Sequence, residues 1–240
     1  AEMEDAGVDA VLLHPPGTWP GGMAMAEEAA VAHPDRFAVL GYFDLGAGPQ
    51  PDVVAKWLER PGEVGLRFNF MAEHMRSWPT DGTVDWVWPE IEKAGIPVAL
   101  LAHDFLPRCV WIAENHPGMR LIIDHMGVSP MKKDDDAFAN LPDLLALAKF
   151  PNVAVKVSGA PSNSSDEYPY RNIHDRMQAI FDAFGPDRCF WGTDLSRMPC
   201  SYRQCVTMFT EELPWLKGND LERVMGAALC DWIGWHPKAG

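Results

Sequence analysis

The sequence has few cysteines, and none of them forms the close pair that is typical of a structural zinc site. There are five, an odd number, and no Cys-x-x-Cys pair occurs among Cys109, Cys189, Cys200, Cys205 and Cys230. This usage argues against a disulfide framework and against a zinc knuckle. We therefore expect a reduced, cytoplasmic setting.

Positive charge is also scarce. The chain has 20 Lys and Arg against 34 Asp and Glu, a formal net charge of −14, and a calculated pI near 4.9. No cluster of Lys or Arg stands out, and a chain this acidic repels a polyanion, which argues against nucleic acid as a partner. A single local arginine is still enough to hold a small anion.

Long apolar runs are absent as well. No stretch approaches the length that a membrane span needs, and no signal peptide opens the sequence. We therefore expect no membrane partner.

Short apolar segments alternate with helical segments along the whole chain. Strands are predicted at 8–14, 37–43, 64–70, 97–102, from 120 onward, 153–157 and 189–193. Helices are predicted at 23–32, 52–59, 84–94, 106–115, 136–149, 170–184, 203–212 and 221–233. Short joints that contain proline, such as Phe150-Pro-Asn-Val, separate the helices from the strands. This regular alternation predicts a parallel sheet with right-handed crossovers.

The start of the sequence resembles the end of a helix, because Gly7 follows Glu2-Met-Glu-Asp-Ala as a C-cap would. Such a helix implies one more strand before it. The simplest prediction is an α/β fold, a (β/α)8 TIM barrel that lacks its first strand in this chain. Residues 1–240, with 47% hydrophobic content, suit one such domain, N-terminally incomplete. An open doubly wound sheet is the alternative, although no glycine-rich phosphate loop supports it.

Polar residues stand where the predicted strands end. The apolar run Arg120-Leu-Ile-Ile ends in Asp124 and His125, and the last strand ends in Asp194. In a barrel the carboxyl ends of all strands lie at one open end, which is called the mouth here, so such residues converge there. The converging set is His14, Arg67, Asn69, His103, Asp124, His125, Ser158 and Asp194. Buried ionisable groups cost several kcal/mol unless they are paired, so this convergence indicates a functional site.

Asp194 and His125 have a direct chemical interpretation. An aspartate there can act as general base toward water, and a histidine can share the proton or orient the electrophile. The structural alternative is that Asp194 caps the next helix and His125 is a core histidine. His14 and His103 can each bind a metal, a substrate or a loop carbonyl.

Arg67 and Asn69 point to the same face of their strand, by the alternation in Leu-Arg-Phe-Asn-Phe. The guanidinium suits a substrate carboxylate or a developing oxyanion. The alternative for Arg67 is an internal salt bridge to an aspartate at a strand end.

Four motifs together resemble the amidohydrolase-2 branch of the amidohydrolase superfamily, and most closely its 2-pyrone-4,6-dicarboxylate hydrolase-like lactonases. They are Arg67-Phe-Asn, Asp124-His125-Met-Gly, Val155-Lys-Val-Ser-Gly159 and Trp191-Gly-Thr-Asp194. The resemblance implies a (β/α)8 barrel that hydrolyses a lactone or a related C–O bond. It also implies that Asp194 activates water, that His125 assists it, and that Arg67 contacts the substrate.

The sequence departs from that family in two places. The family's His-x-His pair belongs to the first strand, which this sequence lacks, so Asp194 and His125 are the remaining ligands if a divalent metal such as zinc is bound; metal-free catalysis is also compatible. Val128 and Ala160 follow motifs near which dicarboxylate-hydrolysing members carry arginines. We therefore expect a lactone less acidic than a dicarboxylate.

The predicted function is a hydrolase that opens a lactone or related ester bond of a small organic acid, with an anionic lactone as partner and a homo-oligomer as a compatible state. Its substrate-binding residues are predicted to be Arg67, Asn69, His14, His103 and Ser158. One alternative is a zinc-dependent non-oxidative decarboxylase, with His103 as a metal ligand. The other is a non-catalytic binding or vestigial barrel.

Overall fold

A parallel sheet is the centre of the fold. The computed structural model describes residues 2–17 and 19–238, so four residues of the predicted domain, Ala1, Thr18, Ala239 and Gly240, lie outside the description. Its seven strands are hydrogen-bonded side by side in chain order. They are β1 (Val11–Leu13), β2 (Phe37–Gly41), β3 (Glu63–Asn69), β4 (Val98–Leu101), β5 (Leu121–Ile123), β6 (Val153–Ser158) and β7 (Cys189–Gly192). Every predicted strand is confirmed, and all pairs are parallel.

The strand order distinguishes the two predicted architectures. A doubly wound sheet reverses its strand order at a switch point, whereas this order never reverses. Within the described residues β1 and β7 each have one strand neighbour, so the sheet is open between them. A closed (β/α)8 barrel has one more strand at that position, in agreement with the predicted barrel without its first strand.

Helices precede, connect and follow the strands. They are α1 (Glu2–Ala6), α2 (Gly22–Ala32), α3 (Pro51–Ala55), α4 (Trp78–Asp81), α5 (Val87–Ala94), α6 (Leu106–Asn115), α7 (Asp134–Ala137), α8 (Leu141–Leu145), α9 (His174–Phe184), α10 (Tyr202–Thr210), α11 (Asn219–Glu222) and α12 (Ala228–Ile233). Within the described chain no helix is both long and apolar enough to cross a membrane.

Three predicted helices are interrupted. The segment 136–149 is split because Pro142 lacks an N–H and begins a new helix, α8. The segment 52–59 is split into α3 and a 3-10 turn at Trp57–Glu59, in which Trp57 is buried and its Nε1 donates to the Gly65 carbonyl at 2.9 Å. In 221–233 a π-helical turn, Arg223–Ala227, separates α11 from α12.

The inner face of the sheet changes from apolar to polar along the strands. Its lower layer is a buried apolar cluster, closed from below by α12, that contains Leu40, Ala99, Ile122, Ala154 and Phe190. Because side chains alternate between faces, the residues two or four positions further along point the same way. Those residues include Asp124, Lys156, Ser158 and Asp194. The fold therefore places a charged mouth above an apolar floor.

Candidate active site

Several of the predicted site residues meet at the carboxyl ends of the strands. His14, Arg67, His125, Ser158 and Asp194 come together there around Asp124, through contacts described below. Asn69 lies on the same strand face as Arg67, and its side chain makes no hydrogen bond within the described residues. His103 lies to one side. The predicted convergence on one mouth therefore holds for most of the set.

Asp124 lies between two cations. It follows β5 directly and is 1% exposed. Arg67 Nε donates to its Oδ2 at 2.7 Å, and Lys156 Nζ lies 2.7 Å from its Oδ1. Burial alone would raise the pKa of Asp124, but the charges of Lys156 and Arg67 outweigh it and hold this pKa well below its usual range. The internal salt bridge considered for Arg67 is thus present.

Only the Nε of Arg67 is engaged in that salt bridge. Its side chain is 16% exposed, and neither of its Nη atoms is among the buried, unpartnered atoms of the described chain. Both Nη groups therefore remain accessible from the mouth. The guanidinium can pair with Asp124 and still bind an oxygen of a ligand.

Lys156 is a site residue to which the sequence interpretation gave no role. It lies on β6 with 7% exposure, and its Nζ is 2.5 Å from His14 Nε2. Burial lowers the pKa of Lys156, and burial together with the lysine charge lowers the pKa of His14 well below 6.5. His14 is therefore a neutral acceptor for the ammonium group. The alternation Val155-Lys-Val-Ser was the available signal, because it places Lys156 and Ser158 on one face.

His125 is held by the turn that follows β5. Its backbone is left-handed, with φ 49°, which is uncommon outside glycine. Its Nδ1 shares a 2.9 Å hydrogen bond with Ser158 Oγ, in which either atom can donate. Burial lowers the pKa of His125, against the opposing charges of Asp124 and Asp194. The imidazole is therefore predominantly neutral at pH 7.

Asp194 faces His125 from the end of β7. Its Oδ2 lies 3.8 Å from His125 Nε2, too long for a direct hydrogen bond. Its backbone is left-handed too, with φ 60°, and the carboxylate makes no capping hydrogen bond to the turn that follows. The side chain of Asp194 therefore does not cap the following helical turn. It points into the mouth.

Arg197 is a second contributor that the sequence interpretation did not include. Its Nη1 donates to Asp194 Oδ2 at 3.1 Å, and its Nη2 donates to the Pro130 carbonyl at 2.6 Å. The guanidinium thus ties the loop after β7 to the loop after β5. Its position three residues beyond Asp194 was visible in the sequence, but the contact to Pro130 spans 67 residues and depends on the fold.

His103 is separate from this charged cluster. Its Nε2 lies 3.2 Å from Asp104 Oδ2, and its Nδ1 is buried without a partner in the described residues. Burial lowers the pKa of His103. Together with Phe70, Met71, Arg76, Leu101, Asp104 and Phe105 it lines a cavity of about 350 Å³.

The residues described do not form a metal centre by themselves. No group of three or more His, Cys, Asp or Glu side chains in this part of the chain could hold a metal ion. His125 Nε2 and Asp194 Oδ2 offer two donors, whereas protein zinc sites use three or four protein ligands.

The facing pair can hold and activate a water molecule. His125 Nε2 and Asp194 Oδ2 are 3.8 Å apart, so one water oxygen can lie within about 2.8 Å of both atoms. Asp194 is 27% exposed in its side chain, so the position is reachable from solvent and by a ligand. Arg67 supplies hydrogen-bond donors to the same mouth.

The chain is similar to known proteins in both sequence and fold. A family model described as Amidohydrolase matches residues 22–238. The L-fucono-1,5-lactonase of Burkholderia ambifaria is 26% identical over 167 residues, which cover 65% of this chain and 54% of that protein. The chain thus spans about half the length of the curated relatives it matches.

Solved structures share the fold. An amidohydrolase of Burkholderia multivorans with bound zinc superposes with a TM-score of 0.79 at 21% identity, over 97% of this chain and 86% of that one. A Pseudomonas putida protein provisionally assigned as a 2-pyrone-4,6-dicarboxylic acid hydrolase gives a TM-score of 0.76 at 20% identity, over 99% and 86%. At these identities the likeness concerns the fold.

Proposed function

The chain belongs to the amidohydrolase family, and on that basis we propose that its protein hydrolyses the ring ester of a small lactone. The observation that carries the proposal is the pair Asp194 and His125, which face each other across 3.8 Å beside the accessible end of Arg67. A general base, a polar partner for water and a cation for the carbonyl oxygen are the groups that ester hydrolysis requires.

In the proposed reaction, water lies between His125 Nε2 and Asp194 Oδ2. Asp194 takes its proton while the water oxygen attacks the lactone carbonyl carbon, and negative charge develops on the carbonyl oxygen. The Nη groups of Arg67 stabilise that charge. The ring C–O bond then breaks, and the departing alkoxide takes the proton held by Asp194. The product is a hydroxycarboxylic acid.

The charge balance of the mouth supports an anionic ligand. The cations Arg67, Lys156 and Arg197 outnumber the carboxylates Asp124 and Asp194, since His14 and His125 are predominantly neutral. This local excess of positive charge lies in a chain of net charge −14. Such a site attracts a small anion and stabilises an oxyanion, while the rest of the surface repels polyanions.

The cavity beside His103 supports a substrate with a sizeable substituent. Its lining combines apolar side chains, such as Phe70 and Phe105, with the polar groups of Arg76 and Asp104. A polar ring or chain attached to the lactone can occupy it and contact His103 in its lining. Because the curated relatives are named L-fucono-1,5-lactonases, aldono-1,5-lactones are the substrates to assay first.

Asp194→Asn in the full natural protein tests the role of the base. An amide cannot accept the proton of water, so we expect turnover of an aldonolactone to fall about 10²- to 10⁴-fold. Hydrolysis is followed by acid release in a weakly buffered indicator assay. Asp52→Asn, at an exposed position on α3, is the matched control and should retain full activity.

The outcome that rejects the assignment is an Asp194→Asn protein that folds normally and retains its turnover. A wild-type protein that opens no lactone but releases CO2 from a carboxylated aromatic substrate would favour the decarboxylase alternative. For that alternative His103 was predicted as a metal ligand, and its place outside the charged cluster of Asp124, His125 and Asp194 does not favour that role.

A further inference from the structure

Two thiols meet at the start of α10. Ser201 is the N-cap of this helix: its Oγ accepts from the Gln204 N–H at 3.2 Å, and Gln204 Oε1 accepts from the Ser201 N–H at 3.1 Å. In such a capping box the residue before the cap commonly packs on the fourth helical residue, an arrangement called a hydrophobic staple. Here those positions hold Cys200 and Cys205, whose Sγ atoms are 3.6 Å apart.

We infer that Cys200 and Cys205 form an oxidisable dithiol site, which a hydroperoxide converts reversibly into an intrachain disulfide. Both are free thiols in the structure. A disulfide requires the sulfurs to approach to about 2.05 Å. From 3.6 Å the remaining approach is about 1.5 Å, which side-chain rotation and a small loop shift can supply.

The pair differs from the other cysteines. Cys109 and Cys189 are buried, and burial raises the pKa of each thiol to about 12. Within the described residues neither they nor Cys230 share a hydrogen bond with another thiol. Among the cysteines of the described residues, Cys200 alone combines partial exposure with a thiol partner.

The two sulfurs have different parts in the oxidation. Burial raises the pKa of Cys205 to about 12, so the half-buried Cys200 is the sulfur that meets the oxidant first. Its sulfur attacks the terminal oxygen of the hydroperoxide, the O–O bond breaks, and a sulfenic acid and an alcohol or water form. The Cys205 sulfur then displaces the hydroxyl group, which leaves as water with the Cys205 proton. The two thiols together give up two electrons, and the O–O bond takes them.

The cross-link would act on the loop that carries the proposed base. Residues 194–200 include Asp194 and Arg197 and end at Cys200. At the other side, the carbonyl of Cys205 accepts a 3.2 Å hydrogen bond from Trp191 Nε1 on β7. A disulfide therefore joins the end of this loop to a helix already attached to the same strand.

The test is peroxide treatment of the folded protein followed by denaturation, alkylation and peptide mapping. Trypsin cleaves after Arg197, Arg203 and Lys217, so Cys200 and Cys205 fall in separate peptides, 198–203 and 204–217. We expect these peptides to be recovered as one disulfide-linked species, with loss of two hydrogen atoms and of two alkylatable thiols. Dithiothreitol should restore both thiols.

Two variants make the result specific. Cys200→Ser should abolish the linked species, whereas Cys230→Ser, at another half-buried cysteine, should leave it unchanged. Recovery of both peptides with alkylated thiols after peroxide would overturn the proposal and leave the pair as a packing staple. So would conversion of Cys200 to a sulfinic acid while Cys205 remains a thiol. Neither readout depends on the enzymatic assignment.

Discussion

At the scale of single residues, Asp124 determines how the cations of the mouth are held. It is the shared partner of Arg67 and Lys156, and it is buried. Asp124→Asn keeps the shape but leaves the buried Lys156 and the partly exposed Arg67 without their counter-ion. We expect a loss of about 3–5 kcal/mol in the free energy of unfolding, measured by urea denaturation.

The matched control for that change is Asp194→Asn. Asp194 is partly exposed, and an ion pair such as its contact with Arg197 contributes at most about 1 kcal/mol. If both variants were equally stable, the buried ion pairs of Asp124 would not have the structural role assigned to them.

Glu63 is a buried acid outside the site whose titration should affect stability. Its Oε2 accepts from the Gly41 N–H at 3.0 Å, and its Oε1 is buried without a partner in the described residues. Burial raises the pKa of Glu63 from 4.5 to about 7. The folded state therefore holds the proton more tightly than the unfolded chain, and the stability this provides is lost as the pH rises from about 4.5 through about 7.

Glu63→Gln removes that loss. The variant should be about 2 kcal/mol more stable than wild type at pH 8 and should match it at pH 4.5, as measured by urea unfolding at both values. Glu59→Gln, at an exposed position, should show no such difference. A pH-independent effect of Glu63→Gln would mean that the carboxyl group does not titrate with folding.

At the scale of elements, the turns after β5 and β6 position His125. Gly159 has φ +73°, and a Cβ on it would lie 3.4 Å from His125 Nδ1. Gly159→Ala should cost about 1 kcal/mol in stability for the left-handed backbone, and its methyl group should disturb the hydrogen bond between His125 and Ser158.

The matched control is Gly234→Ala. Gly234 also has φ +73°, and a Cβ there would have nothing within 4 Å. Both variants should lose similar stability in thermal unfolding, but only Gly159→Ala should lower turnover several-fold. Equal activity in the two variants would show that the turn after β6 does not position the histidine.

At the scale of the whole molecule, we propose that the described residues form a single domain, since one sheet supports both the apolar floor and the charged mouth. Acid should destabilise this domain. His14, His103 and His125 have lowered pKa values, chiefly because of burial, so the folded state binds fewer protons than the unfolded chain. The contribution of these neutral histidines to the free energy of unfolding is present above pH 6.5 and is lost as the pH falls below 6.5.

His14→Gln tests this. Glutamine offers Lys156 an oxygen acceptor and cannot be protonated, so the loss of stability between pH 6.5 and 5 should be smaller by up to about 1.4 kcal/mol per pH unit. Urea unfolding across that range measures it. His236→Gln, at an exposed position, should leave the pH dependence unchanged, and an unchanged slope in His14→Gln would contradict the neutral state of His14.

The sequence by itself determined where the strands lie along the chain and which residues end them. Apolar alternation, proline joints and strand-end polar residues are local signals, and they located β1 to β7 and the residues Asp124, His125 and Asp194. The interrupted helices show where local signals were insufficient. Pro142 was a local signal for the break before α8, whereas the burial of Trp57 depends on its contact with β3.

Only the tertiary structure decided how the charges pair. Arg67 and Asp124 are 57 residues apart, and Lys156 and His14 are 142 apart. Their contacts follow from the curvature of the sheet, which brings strand ends together irrespective of sequence separation. For this reason the sequence identified the members of the site, while the fold excluded His103 from the charged cluster, added Lys156 and Arg197, and made Arg67 a partner of Asp124.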